Sequence, residues 1–286
     1  MMPFRRFQIH QPQNLQEAAE MLAHHGDSGR LYAGGTELLL AMRHDLLRYE
    51  HLIDVKTIPG ITDIEVKGSE LHIGAAVTHR AIERSPVVRE ALPVFSDMAG
   101  QVANVRVRAT GTLGGNLCFA EPHSDPATLL LALGGQVVVR GKSGERVLSM
   151  DELLVGAYET SLAEDDVMVG VRVPILAPNQ RTAYLKFQVH ERPLLGLALH
   201  LVLSAGGQEI QEARVAVGCV SPKPCRSSKA EELLAAPVAG AKQQITAAAD
   251  LLADEAELVD DLEGGADYKR HLIGVLLERA LTQALA

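Results

Sequence analysis

The sequence predicts an α+β chain of two N-terminal lobes, about residues 1–56 and 57–176, followed by a three-stranded sheet with helices over residues 177–286. Three observations predict it. Strand-like and helix-like runs alternate as far as residue 55. Paired alternating runs with hairpin turns fill the middle, and three long strand patterns precede three helical ones at the end.

FQIHQ, residues 7–11, is the first strand; Asn14 then caps a helix over residues 15–25 that Gly26 terminates. RLYA, residues 30–33, is a second strand, followed by a loop at Gly34, Gly35 and Thr36, the helical stretch ELLLAMRHDL and a third strand, HLIDV. Strands joined through helices in this way lie parallel, because such crossovers are right-handed. ITDIEVKGSELHIGA reads as a hairpin turning at Lys67, Gly68 and Ser69. Thr78 reads as the N-cap of a short helix, and residues 87–102 as one longer helix that tolerates Pro93. Asp125 is expected to cap a helix with Pro126 at its first position and Gly134 as its stop. QVVVRGKSGERVLSM is a second hairpin, and VMVGVRVP a strand ended by Pro174. Beyond the connector PILAP come the strands AYLKFQVHE, LALHLVLS and EARVAVGCV, the second turning into the third at Ala205, Gly206 and Gly207. SSKAEELLAA, AKQQITAAADLLADE and DYKRHLIGVLLERALTQAL repeat their apolar positions with a helical period.

Apolar residues make up 47% of the chain and charged residues 22%, ordinary proportions for a globular protein. Aromatics at 3%, no Trp and a formal charge of −9 argue against base-stacking platforms and a basic duplex-binding face. A protein that handles small molecules is expected. No stretch approaches the roughly 18–20 apolar residues of a membrane span, and MMPFRRFQIHQPQ lacks the apolar run of a signal peptide. Cys118, Cys219 and Cys225 have no CxxC spacing and cannot alone ligate an iron–sulfur cluster or a structural zinc. They read as reduced, buried thiols of a cytoplasmic protein.

Two glycine pairs stand out. AGGTEL, residues 33–38, lies between a strand and a helix, where backbone N–H groups can face a phosphate. TGTLGGN, residues 110–116, reads as a polar loop that adds hydroxyls and further free amides. Each pair alone also fits a structural turn; together they fit a diphosphate held from two sides. The dinucleotide fingerprint GxGxxG is absent, which disfavours a Rossmann domain. His123, Ser124 and Asp125 are adjacent and cannot reach one another as a triad. His24, His25, His190 and His200 read as surface or packing residues, the acidic run DEAELVDDLE as a solvated face, and no catalytic or metal-binding set emerges.

AGGTELL, followed further along by RATGTLGGNLCFAEPHSDPA, the strand ending in VRVP and the strand YLKF, resembles the flavoprotein (medium) subunit of molybdenum hydroxylases. That family includes carbon monoxide dehydrogenase and the FAD domain of xanthine dehydrogenase. The resemblance covers nearly the whole chain and implies the vanillyl-alcohol-oxidase-like (PCMH-type) fold, with FAD between the two N-terminal lobes. It implies pyrophosphate contacts from Ala33, Gly34, Gly35, Thr36 and Glu37, flanked by Leu31, Tyr32 and Leu38. Thr110, Thr112, Gly114, Gly115 and Asn116 would close from the second lobe, and Asp125 would accept from a flavin-side hydroxyl. Val102 joins the cofactor set, Met168 would touch the ring region through its backbone, and Lys186 would offer a cation. This sequence departs from the family at FQVHERPLLGLAL after Lys186 and at Ala109, where asparagine is common, while Arg108 is retained. The cysteine insertion of the 4-hydroxybenzoyl-CoA reductase flavoprotein has no counterpart.

The resemblance implies an FAD-dependent oxidoreductase subunit that carries electrons from 2Fe–2S clusters to an external acceptor. A small iron–sulfur subunit and a large molybdenum-cofactor subunit would be its partners, in a dimer of heterotrimers. The alternatives from the sequence are a self-contained flavin oxidoreductase of the same fold and a flavin-binding module without catalysis.

Overall fold

A computed structural model describes residues 5–141 and 144–286. Residues 1–4, and residues 142 and 143 on which the expected turn of the second hairpin falls, lie outside the described residues. The first lobe contains β1 (Gln8–His10), α1 (Leu15–His25), β2 (Gly29–Tyr32), α2 (Leu38–Arg43) and β3 (His51–Asp54). The strands are parallel, in the order β1-β3-β2. Asn14 caps α1 by accepting from the Glu17 amide, as its residue type predicts.

The second lobe opens with the hairpin β4 (Ile64–Lys67) and β5 (Glu70–Gly74) and continues through α3 (His79–Arg84), α4 (Pro86–Ala91), α5 (Pro93–Gln101), α6 (Val105–Thr110), α7 (Leu113–Phe119) and α8 (Asp125–Leu133). It closes with β6 (Gln136–Gly141), β7 (Gly144–Ser149), α9 (Met150–Leu153), β8 (Leu154–Gly156), β9 (Glu159–Thr160) and β10 (Val167–Pro174). The main sheet is antiparallel throughout, in the order β4-β5-β10-β6-β7. Thr78 caps α3 as expected. The single helix expected over residues 87–102 is two, because Pro93 lacks an amide and Leu92 turns out of the helical region (φ −152°, ψ 73°).

The last third is built from β11 (Gln180–Gln188), β12 (Pro193–Leu203), β13 (Ile210–Gly218) and β14 (Cys225–Arg226), followed by α10 (Ser228–Leu234), α11 (Val238–Gln243), α12 (Ile245–Glu255) and α13 (Ala266–Ala284). The three expected strands are present and antiparallel, and the two-residue β14 adds a fourth at the edge beside β13. AKQQITAAADLLADE divides at Gln244 into α11 and α12.

The centre of the molecule is α8. DPATLLLAL is apolar on every side, and all nine of its residues are buried. It packs against β12 and β13 on one side and the second lobe on the other, so Tyr184, Ala198 and Ala216 of the last third share a core with Leu129, Val137 and Val171. The cap of α8 is Ser124, which accepts from the Ala127 amide at 3.1 Å, and not Asp125 as the sequence suggested. Asp125 is thereby free to meet β11. Its Oδ1 accepts from the Tyr184 hydroxyl at 2.5 Å and its Oδ2 from Lys186 Nζ at 3.1 Å. Tyr184 and Lys186 reach it together because alternate residues of a strand share a face. Lys186 Nζ also donates to the Gln101 carbonyl at the end of α5. Burial pushes the Asp125 carboxyl up, against the downward pull of Lys186.

Both side chains of this pair are 3% exposed, so removing one leaves a buried group without its partner. Lys186→Met should cost about 3–5 kcal/mol in urea unfolding, and adding Asp125→Leu to that variant should recover most of the loss. Equal stability of wild type and Lys186→Met would show that the pair does not join α8 to β11.

Candidate functional site

The first glycine pair follows β2 directly. Gly35 sits at φ +70°, a conformation that side chains disfavour. Gly34 is fixed by crowding: a Cβ there would lie 2.2 Å from the Thr110 carbonyl oxygen and 2.8 Å from the Gly111 Cα. The loop after β2 and the segment entering α7 therefore meet backbone to backbone, and the two glycine-rich stretches form one place in the fold. Leu39 and Ala41 donate back to the carbonyls of Gly35 and Glu37. Among the described residues no acceptor meets the amides of Gly34, Gly35, Thr36, Glu37 or Leu38. These residues are half-buried, so an outside acceptor has something to gain there.

The second stretch differs from the free loop expected of it. Leu113, Gly114, Gly115 and Asn116 form the first turn of α7, and their amides are engaged by Val77 O, Ala75 O, Thr112 Oγ1 and Thr112 O in turn. The Gly111 amide donates to Val107 O, and the Thr110 hydroxyl to Arg106 O. A short antiparallel bridge between Thr78 and Thr112 stitches the start of α3 to the start of α7. This stretch contributes shape more than donors. Gly114 is packed on Ala75, where a Cβ would come within 2.6 Å of the Ala75 Cβ. Gly115 is exposed, and a Cβ there would meet only its own cap oxygen, Thr112 Oγ1, at 2.7 Å. Asn116 accepts at Oδ1 from the Ser124 hydroxyl at 2.6 Å, which turns its amide nitrogen away from Ser124. That nitrogen meets no acceptor among the described residues.

The other expected contacts sit around this junction. The Tyr32 ring packs over Gly35, with Lys56 Nζ 4.0 Å from the ring centroid. Leu31 and Ala33 rest on the first-lobe core, and Leu38 opens α2. Burial, together with the nearby Glu121 carboxylate, pushes the Glu37 carboxyl up. Val102 is buried, and its carbonyl accepts from Arg108 at 3.0 Å. Met168 lies on the central strand β10, paired with Val139 and with its sulfur 3.9 Å from that of Cys118 on α7. Asp125 and Lys186 are engaged with one another as described above.

Sequence reasoning missed Lys56 and Ser124. Lys56 donates to the Ala33 carbonyl at 3.0 Å and pairs with Asp54, which braces the loop from the neighbouring strand. Only the pairing of Tyr32 with Asp54 puts Lys56 there. Ser124 could have been found from its position before Asp125 and Pro126, where a hydroxyl competes well as a cap.

Five amides in a row without a partner among the described residues, a hydroxyl at Thr36 and an open glycine face at Gly115 suit an anionic, extended ligand approached by backbone. This is the donor set a pyrophosphate needs, so the residues present fit FAD.

A family model described as the FAD binding domain in molybdopterin dehydrogenase matches residues 5–176. Another, described as the CO dehydrogenase flavoprotein C-terminal domain, matches residues 185–284. The carbon monoxide dehydrogenase medium chain of Hydrogenophaga pseudoflava is 33% identical, over 98% of each chain. The nicotine 6-hydroxylase medium subunit of Paenarthrobacter nicotinovorans is 32% identical over 96% of this chain and 95% of its own. In the solved structure of the Hydrogenophaga pseudoflava carbon monoxide dehydrogenase that lacks the Mo-pyranopterin moiety, one chain matches with a TM-score of 0.93 at 34% identity. That match covers 99% of this chain and 98% of that one.

The junction has a built-in acid weakness at His79. Its amide donates to the Gly111 carbonyl at 3.0 Å, and its buried ring lies against Gly111. Burial, helped by Arg108, holds the imidazole down at about 4 from an ordinary 6.5. Between those values the unfolded chain binds the extra proton, so this part of the stability is complete above about 6.5 and falls as pH drops toward 4. His200 is likewise held down at about 4 and adds to the same slope. Unfolding free energy measured from pH 7 to 4 should decline in wild type, and His79→Gln should remove up to about 1.4 kcal/mol per pH unit of that decline. An unchanged slope in the variant would remove His79 from the account.

Proposed function

The chain belongs to the family of FAD-binding medium subunits of molybdenum hydroxylases, and from this premise we propose that it is the electron-transfer subunit of such a complex. Its role is to pass electrons from iron–sulfur clusters on a partner chain through FAD to an external acceptor. The unpartnered amides of residues 34–38 beside the Thr110 and Gly111 backbone carry this reading. These amides, the Thr36 hydroxyl and the Asn116 side-chain nitrogen would hold the pyrophosphate. Gly115 would leave the room for it, with Ala33, Thr110, Thr112 and Gly114 shaping the walls. Backbone donors bind two phosphates without a cluster of lysines, which suits a chain of net charge −9. When bound, FAD supplies the redox chemistry, accepting electrons singly and releasing them in pairs.

The remaining residues orient and enclose. The contacts of Tyr184 and Lys186 with Asp125 keep the last third closed on α8, and Lys56 and His79 brace the two sides of the junction. The chain's own thiols are poor cluster ligands. Burial pushes Cys118 up to about 11 and Cys225 up to about 12, and Cys219 well above its ordinary value. Iron–sulfur clusters and the molybdenum cofactor accordingly belong to a small and a large partner subunit, in a dimer of heterotrimers in the cytoplasm. Among the described residues no helix is long and apolar enough to cross a membrane.

Purified alone, the chain should bind FAD and fail to hydroxylate any substrate. Purified with its partners, it should carry flavin alongside iron and molybdenum. Turnover by the single chain would contradict the proposal. Gly115→Val should lower the FAD-to-protein ratio at least about tenfold while largely preserving the circular dichroism, since within the fold its Cβ would meet only the Thr112 hydroxyl, a side-chain group that can turn aside at the cost of one helix cap. Full flavin occupancy in that variant would move the cofactor away from α7.

A further inference from the structure

Far from the glycine junction, three histidines come together that the sequence scatters. His10 ends β1, His25 ends α1 and His51 begins β3. The parallel register aligns Gln8 with His51, so His10 and His51 lie on one face of the sheet, and the C-terminal turn of α1 brings His25 over them. His10 Nε2 lies 3.0 Å from His51 Nδ1. The rings of His25 and His51 stack with centroids 3.8 Å apart. One nitrogen from each of the three lies within 4.8 Å of the other two, and all three residues are half-buried.

The geometry points to a site for a divalent late transition metal of the zinc class, bound by His10, His25 and His51. An imidazole ligates through the lone pair of its unprotonated ring nitrogen, and each of the three rings has one to offer. Zinc–nitrogen bonds of about 2.0–2.1 Å place two ligand nitrogens roughly 3–3.5 Å apart, and His10 and His51 already stand at 3.0 Å. Binding would shift the hydrogen between His10 Nε2 and His51 Nδ1 to the other nitrogen of its ring, and would turn these rings off their N···N line and His25 out of its stack, so that the three lone pairs face one ion. Imidazole nitrogens suit zinc, copper and nickel over magnesium or calcium. The fourth zinc position would be left to water.

The location defines the role. His51 and Gly29 start their strands, whereas the glycine loop follows Tyr32 at the opposite end of β2. The ion would tie the end of α1 to β1 and β3, as a structural staple of the first lobe away from the flavin. Of the two adjacent histidines that the sequence reads as surface or packing residues, His24 is exposed and His25 is half-buried.

Calorimetric titration of the tag-free, metal-stripped full chain with zinc chloride tests this. One zinc per chain should bind, and Tm should rise by a few degrees with excess zinc. His10→Gln, His25→Gln and His51→Gln should each weaken binding at least about tenfold and abolish the Tm rise, with His190→Gln as the unaffected control. The three variants should retain FAD as wild type does, because the flavin junction is elsewhere. Zinc binding by wild type no stronger than by the triple variant would overturn the assignment, as would single variants that bind like wild type. Should a variant fail to fold, cobalt decides on wild type. The visible absorption of tetrahedral cobalt, lost on adding zinc, supports the site, and its absence overturns it.

Discussion

The contact between Gly34 and the Thr110 and Gly111 backbone is the constraint on which the rest of the site depends. No side chain fits there, since a Cβ would sit 2.2 Å from a carbonyl oxygen. Two stretches of chain from different lobes can approach this closely only with a glycine between them. Once they do, the turn into α2 lies beside the start of α7 with its amides unpartnered among the described residues. In the partner stretch the amides of residues 113–116 are satisfied internally, because a segment buried on one side pairs its backbone with the fold. One side of the junction donates and the other side shapes.

Around that contact the molecule is organised to stay closed. A helix buried on every side, α8, shares its core with both the five-stranded sheet and the sheet of the last third. The polar groups at its start are matched: Ser124 caps the helix and orients Asn116, while Asp125 receives Tyr184 and Lys186. A buried ion pair of this kind adds little net stability over an apolar substitute, but it penalises any arrangement that separates its partners. Its effect is to fix how the last third sits against the flavin-binding lobes. A single run of sequence, from Thr112 to Asp125, thus serves both the glycine junction and the closure of the molecule.

Much of this was legible in the sequence because its signals are local. Asn14 and Thr78 caps, the hairpin at Lys67, Gly68 and Ser69, and the parallel first lobe follow from short-range chemistry and crossover handedness. The two glycine pairs were recognisable as one family's pattern. What was not legible depends on distant partners. TGTLGGN reads as a loop, yet Thr112 and the carbonyls of Ala75 and Val77 wind it into α7. Asp125 looks like a cap until Ser124 takes that place and β11 supplies its true partners. Lys56 and the His10, His25 and His51 cluster require the strand order β1-β3-β2, which no window of sequence contains.

Amide hydrogen exchange on the flavin-free chain, repeated after adding FAD, tests the central claim most directly. The amides of residues 34–38 should exchange readily without flavin and become strongly protected with it. Those of residues 113–116, already hydrogen-bonded within the protein, should change little. Protection appearing elsewhere, with residues 34–38 exchanging as before, would contradict the placement of the cofactor on this loop.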